Sequence, residues 1–315
     1  RSPLSSSAGR ELAVTHFDLT RRSVLAASAA AAVLPAIAQP AILTRQIPKS
    51  GEALPLVGLG SWITFNVGDD REARDSCAGV MRAFFAAGGR MIDSSPMYGS
   101  SQEVIGDGIK RAGNSQRLFS ATKVWISGGA NGPTQIEESR RLWSVPRLDL
   151  LQVHNLLSWQ EHLPTLFAMK AQGKLRYAGV TTSHGRRHDE LERIMRTQPI
   201  DFIQVTYNVA SRDVEARILP LALERKIGVI INRPFEGGDL IEATRGKPLP
   251  GFAAELGCKS WAQLLLKFIV SHPAVTCPIP ATTRIDHVQE NLAAATGTLP
   301  DPALRKRILA AVDSV

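Results

Sequence analysis

From Leu54 onward the chain alternates two hydrophobic rhythms. Short runs dense in aliphatic and β-branched residues are followed by longer segments whose apolar positions recur every three or four residues. These are the periods of a buried strand and of a one-faced helix. The runs LPLVGLGSWITF, RMIDSS, LFSATKVW, LDLLQVHN, YAGVTT, FIQVTYN, GVIINRPF and VTCPIP read as strands. Helices follow in REARDSCAGVMRAFFAAGG, SQEVIGDGIKRAG, TQIEESRRLWS, WQEHLPTLFAMKAQGK, RRHDELERIMRT, RDVEARILPLALERK, SWAQLLLKFIVSH and RIDHVQENLAAAT, with a last one in DPALRKRILAAVDS. RQIPKSGEALP reads as an extended lead-in, and the stretch between GVIINRPF and SWAQLLLKFIVSH as irregular. Such alternation requires a parallel sheet. Eight strand–helix units over about 240 residues match a single-domain (β/α)8 TIM barrel. An open doubly wound sheet would carry a G-x-G-x-x-G turn after its first strand, and GLGSW has no third glycine at that spacing.

The N-terminal segment breaks this rhythm. Arg21 and Arg22 precede a 14-residue Ala-rich apolar stretch, Val24–Ile37, and Ala36-Ile37-Ala38 has the small-x-small form of a cleavage site. Fourteen residues fall short of the roughly 20 that span a bilayer core, so no stable membrane span is expected. The pattern resembles a bacterial twin-arginine (Tat) export signal with Thr20-Arg21-Arg22-Ser23-Val24-Leu25 as its core. Residues 1–38 are therefore expected to be a leader and its upstream segment, and residues 39–315 the barrel. The chain starts at Arg1 without a methionine, so the leader is expected to begin upstream. The implied partner is the Tat translocase, and the implied location of the mature protein is the periplasm.

Composition narrows the class. Hydrophobic residues at 44% and charged residues at 21% are ordinary for a globular protein with a core. The net charge is +8; Arg1, Arg10, Arg21 and Arg22 against Glu11 and Asp18 leave +6 on the remainder. No run of Lys and Arg interleaved with aromatics is present, which argues against a nucleic-acid partner. Three cysteines, Cys77, Cys258 and Cys277, lack paired spacing and do not make a disulfide framework.

Four ionisable side chains stand where strands end: Asp93 and Tyr98 after RMIDSS, Lys123 in LFSATKVW, and His154 in LDLLQVHN. In a parallel barrel these ends converge on one mouth. A lysine inside an apolar strand needs a charge partner. An ammonium beside a phenol pulls the phenol pKa down from about 10. Together the four can deliver a proton to a carbonyl oxygen.

In D-x-x-x-x-Y-G at Asp93–Gly99, T-K at Thr122–Lys123 and Q-V-H at Gln152–His154, the chain resembles the aldo-keto reductases from about Ile47 onward. The resemblance implies NAD(P)H-dependent reduction of small aldehydes or ketones. Tyr98 would be the general acid, Lys123 its modulator, Asp93 the neutraliser of Lys123, and His154 the carbonyl-orienting group. It implies nicotinamide contacts at Thr181, Thr182 and Gln204, and pyrophosphate contacts around Arg233, Phe235 and Gly237. Asn232 stands where the family carries a ring-stacking tyrosine. Thr282, Arg284, Glu290 and Asn291 would hold the adenine end, with Ala281 at a position where the family often carries lysine. NADP(H) is favoured slightly over NAD(H), and Trp62 and Trp125 are expected to line the substrate pocket. His184 and His188 have metal-pair spacing without a third ligand, so no metal is expected. A cofactor-binding regulatory or sensor subunit with little turnover is the alternative, and a lyase or isomerase on the same barrel a more distant one.

Overall fold

The computed structural model describes residues 41–113 and 117–314; the leader read at residues 1–38 lies outside them. The lead-in is not merely extended. It forms an antiparallel hairpin of β1 (Thr44–Gln46) and β2 (Ala53–Pro55), paired from Thr44↔Pro55 to Gln46↔Ala53.

Eight parallel strands follow in sheet order equal to chain order: β3 (Leu59–Gly60), β4 (Met91–Asp93), β5 (Phe119–Val124), β6 (Leu148–Val153), β7 (Leu175–Thr181), β8 (Phe202–Thr206), β9 (Gly228–Asn232) and β10 (Cys277–Pro278). A parallel bridge between Gly60 and Ala281 brings the first strand against the last, with Gly60 N–H donating to Pro280 O at 3.0 Å. Glycine is required there, because a Cβ on Gly60 would stand 2.5 Å from Ile279 O. The sheet is thus the expected (β/α)8 barrel.

Around it lie α1 (Arg71–Ala86), α2 (Ser101–Ala112), α3 (Gly132–Leu142), α4 (Trp159–Ala171), α5 (His188–Thr197), α6 (Ile218–Glu224), α7 (Asp239–Ala243), α8 (Trp261–Val270), α9 (Ile285–Ala293) and α10 (Pro302–Asp313). Their starts follow side-chain chemistry. Asp70, Ser260 and Asp301 cap α1, α8 and α10 by accepting the backbone N–H of Ala73, Gln263 and Leu304. Among the described residues, no helix is long and apolar enough to cross a membrane.

Two readings of the pattern need correction. The segment LPLVGLGSWITF is not one strand: Leu54 and Pro55 belong to the hairpin, Leu59 and Gly60 enter the barrel, and the chain then turns away with Ile63 at φ 66°. The stretch read as irregular after β9 contains α7.

The period-two alternation of the strands divides their side chains between two cores. Outward-facing Leu151, Val153, Val180, Ile203, Val205, Val229 and Ile231 pack under the helices. Met91, Phe119, Leu150, Tyr177, Phe202, Ile230 and Cys277 form a separate inner cluster with Ile47 and Leu54 of the hairpin. All three cysteines are free and buried. Two residues further along several of these strands the inner face turns polar, at Asp93, Gln152, Gln204 and Asn232; on β5 the next inner position, Ala121, stays apolar and the polar residue, Lys123, comes four residues after Phe119. The barrel interior therefore has an apolar floor and a polar ceiling at the carboxyl ends of the strands.

The hairpin closes that floor. Ile47 and Leu54 are fully buried, and Glu52 accepts hydrogen bonds from Arg90 at 3.0 Å, from Tyr177 Oη at 2.9 Å and from Arg176. Burial by itself would raise the Glu52 pKa, but the bonds from Tyr177, Arg176 and Arg90 outweigh it and hold the carboxyl below its usual value. Glu52→Gln is therefore expected to cost about 1–3 kcal/mol in urea unfolding at pH 7. Because the folded-state pKa is depressed, the deficit is full above pH 4.5 and shrinks as pH falls below it. A deficit that stays constant down to pH 3 would rule out this ionic seal.

Candidate active site

The polar ceiling is organised around one buried ion pair. Lys123, on the inner face of β5, is fully buried and lies 2.5 Å from Asp93 Oδ2 at the end of β4. Its ammonium also donates to Ser94 O at 2.8 Å. The other carboxylate oxygen of Asp93 accepts from Gln204 Nε2 of β8 at 2.9 Å and from Gln152 Nε2 of β6 at 3.4 Å. Burial alone would lower the Lys123 pKa. The charges and hydrogen bonds of Asp93 and Tyr98 more than offset it, so the net direction is upward and the ammonium keeps its proton.

Tyr98 sits in the turn between β4 and α2, half-buried, with its ring centroid 5.1 Å from Lys123 Nζ. The sequence led us to expect a lowered phenol pKa. The structure shows a net rise: burial raises it most, Lys123 pulls it down, and Asp93 behind Lys123 pushes it up again. The cation offsets part of the desolvation rather than reversing it.

His154 opens a short 3-10 turn, His154–Leu156, directly after β6. Asn155 and Leu156 take positive φ of 50° and 55° there, which swings the chain off the strand and leaves the imidazole at its mouth. The imidazole is buried, edge-on to the Tyr98 ring at 5.8 Å between centroids, with Nδ1 2.9 Å from Ser95 Oγ. Burial and then the charge of Lys123 push its pKa down to about 3, so it is neutral near pH 7.

These groups open into a cleft of about 840 Å³ at the carboxyl ends of the strands, within the range of small-molecule sites. Asp93, Tyr98, His154 and Trp62 line it. So do Thr181, Gln204, Asn232, Arg233, Phe235 and Gly237, and, before and within α9, Thr282, Glu290 and Asn291. Four of the residues named from the sequence do not: Lys123, which is fully buried, and three others. Thr182 faces away, its buried Oγ1 without a partner among the described residues. Arg284 is exposed, with its guanidinium paired to Asp286 at 2.5 Å. Trp125 is 39% exposed and reaches the site only by its ring, 6.3 Å from that of His154. Asn232 is fixed by its neighbours, donating to Thr182 O at 2.9 Å and accepting from Thr206 Oγ1 at 2.6 Å.

Sequence reasoning passed over Ser95, and it gave Gln152 no role beyond a place in the Q-V-H motif. Both stand close to residues it did choose. The alternation of inner positions along β6 was signal enough for Gln152, while Ser95 lies in a turn that follows no period.

A family model described as "Aldo/keto reductase family" matches residues 56–306. The chain belongs to the aldo/keto reductase family. The methylglyoxal reductase YeaE of Escherichia coli strain K12 is 29% identical over 257 residues, spanning 79% of this chain and 88% of that protein. An aldo-keto reductase from Klebsiella pneumoniae solved in complex with NADPH has a TM-score of 0.70 and 25% identity, covering 85% of this chain and 94% of its own. Another structure from that organism, in complex with NADP and acetate, has a TM-score of 0.69 and 26% identity over 87% and 95% of the two chains.

The side chains of this aldo/keto reductase fit a nicotinamide nucleotide. Thr181 Oγ1 accepts from Asn155 N–H at 2.9 Å, which leaves its hydroxyl hydrogen to donate, and the Gln204 carboxamide lines the cleft beside Asp93. Gly237 and Gly238, at φ 76° and 115°, bring bare backbone to the cleft wall.

Removing one member of the buried pair leaves an uncompensated charge. Asp93→Ala is expected to lose about 3–5 kcal/mol in urea unfolding, and the double variant Asp93→Leu, Lys123→Met to recover much of it. A double variant less stable than Asp93→Ala would show that the pair is not the cause.

Proposed function

We propose that this aldo/keto reductase catalyses NAD(P)H-dependent reduction of aldehydes or ketones to alcohols, with Tyr98 as general acid. The observation that carries the reading is the Tyr98 phenol held between the buried Lys123 and the His154 imidazole on the wall of one cleft. A reduced nicotinamide, when bound, supplies the hydride that reaches the carbonyl carbon. Tyr98 gives its proton to the carbonyl oxygen as charge develops there. The phenolate left behind lies beside Lys123, whose positive charge stabilises it. His154, being neutral, can donate a hydrogen bond to the same oxygen without adding a charge to the cleft. Asp93 keeps Lys123 protonated and in place. An intact tetrad opening on a cleft favours turnover over a purely cofactor-holding role.

The methylglyoxal reductase relative makes small dicarbonyls the first substrates to try. Loss of reduced-cofactor absorbance with methylglyoxal and a panel of aldehydes tests the reading. Tyr98→Phe is expected to lower kcat at least ~100-fold while NADPH still binds. Because the phenol pKa is raised above 10, the reductive rate should stay level through neutral pH and fall only beyond about pH 10, where the acid form is lost. A Tyr98→Phe variant that turns over like the parent would remove Tyr98 from the chemistry.

NADP(H) is the cofactor we favour, on the strength of the Klebsiella neighbours. With Ala281 apolar and the Arg284 guanidinium paired to Asp286, this chain offers a 2′-phosphate little free positive charge nearby. The preference over NAD(H) is accordingly expected to be less than about tenfold in Kd, about 1.4 kcal/mol, measured by fluorescence titration.

We also propose export by the twin-arginine route, which rests on Arg21, Arg22 and the apolar stretch after them. Replacing both by lysine is expected to retain the protein in the cytoplasm, as read by cell fractionation. Undiminished periplasmic delivery would exclude the route.

A further inference from the structure

His154 is neutral at working pH, so its ring carries one proton, and which nitrogen holds it decides whether the cleft meets a donor or an acceptor. Nδ1 lies 2.9 Å from Ser95 Oγ, and Nε2 has no partner among the described residues, on an imidazole that lines the cleft. The hydrogen-bond account of Ser95 settles the choice. Its side chain is fully buried, and its oxygen already accepts the N–H of Met97 at 3.2 Å. A hydroxyl has one hydrogen and two lone pairs.

If Nδ1 held the proton, Ser95 Oγ would accept twice, and its own buried hydrogen would have no acceptor among the described residues. That is the costlier arrangement. If Ser95 donates to Nδ1 instead, the Ser95 hydroxyl and Nδ1 are both satisfied. The imidazole then presents Nε2–H on the side that has no protein partner.

We infer that Ser95 is a positioning residue that holds His154 in the Nε2–H tautomer, so that the cleft is offered a hydrogen-bond donor for a carbonyl oxygen. Ser95 touches neither substrate nor cofactor in this role. It acts through the ring nitrogen it faces, as a second partner orients a histidine elsewhere in catalysis. The inference rests on the carbonyl-reductase reading for its purpose, but not for its geometry.

The test reads the tautomer itself. Protein labelled with [15N]histidine is examined by long-range 1H–15N correlation near pH 7, with the His154 signals assigned by their absence in His154→Gln. The parent is expected to show a protonated Nε2 and an unprotonated Nδ1. Ser95→Ala is expected to lose the single tautomer and to lower kcat about tenfold, a fraction of the 10²–10³ that removal of a whole oxyanion donor costs, while the NADPH dissociation constant is unchanged. A parent with the proton on Nδ1 overturns the inference, and so does a Ser95→Ala protein that keeps a pure Nε2–H ring. The spectrum needs no turnover. An inactive parent with the expected tautomer would defeat the reductase reading and leave this one standing.

Discussion

The whole site depends on one buried ion pair. Lys123 and Asp93 are withdrawn from water on neighbouring strands, and Gln204 and Gln152 complete the carboxylate's partners from two further strands. One side chain, Asp93, thereby ties together β4, β5, β6 and β8 at the polar end of the barrel. Two apolar residues of similar volume would hold these strands at lower cost, because the pair must recover a large desolvation penalty. What they could not do is set a fixed positive charge about 5 Å from the ring of Tyr98. The ion pair is better explained by the chemistry it enables than by stability.

Such a pair needs a rigid cage, and the layering of the barrel supplies one. The inner faces of the strands begin with Met91, Phe119, Leu150, Tyr177, Phe202 and Ile230 and become polar only near the carboxyl ends. The hairpin closes the apolar end with Ile47, Leu54 and the contacts of Glu52. Water is thus excluded from below, while the cleft admits a ligand from above. A floor of large side chains and a ceiling of short polar ones is a division of labour between stability and function along the same strands.

How much of this could be read from the residues follows from which distances they control. Lys123 in an apolar strand demanded a partner, and the D-x-x-x-x-Y-G spacing set Asp93 and Tyr98 five residues apart at one strand end; that Lys123 meets them, across 30 residues, followed from parallel strand ends converging on one mouth. The eight-unit alternation gave the barrel. The bounds of β3 and β10 were not legible, because their length is set by closure of the ring through Gly60, a contact between residues more than 200 apart. Thr181 and Thr182 differ by one step of a period-two strand, so only one can face the cleft, and two adjacent threonines do not say which. Arg284 failed for a different reason. An acidic residue two positions on captures its guanidinium, a contact that family likeness does not report. The net rise of the Tyr98 pKa was hidden because burial, unlike the neighbouring charge, cannot be read from a motif.

That rise bears on direction. A phenol whose proton is held above pH 10 stands almost wholly in its acid form at neutral pH, ready to give a proton to an oxygen that is gaining charge. Run backwards, oxidation of an alcohol needs the same group as a base, and the base form is scarce at that pH. His154 cannot take over, since its pKa of about 3 makes the imidazole a poor acceptor of a second proton. Tyr98 and His154, which line the cleft beside the ion pair, are therefore neutral donors, and the charges of Lys123 and Asp93 are locked to each other. On the reductase reading the protein side of the reaction is poised for carbonyl reduction, and raising the pH moves it toward oxidation by freeing the Tyr98 oxygen.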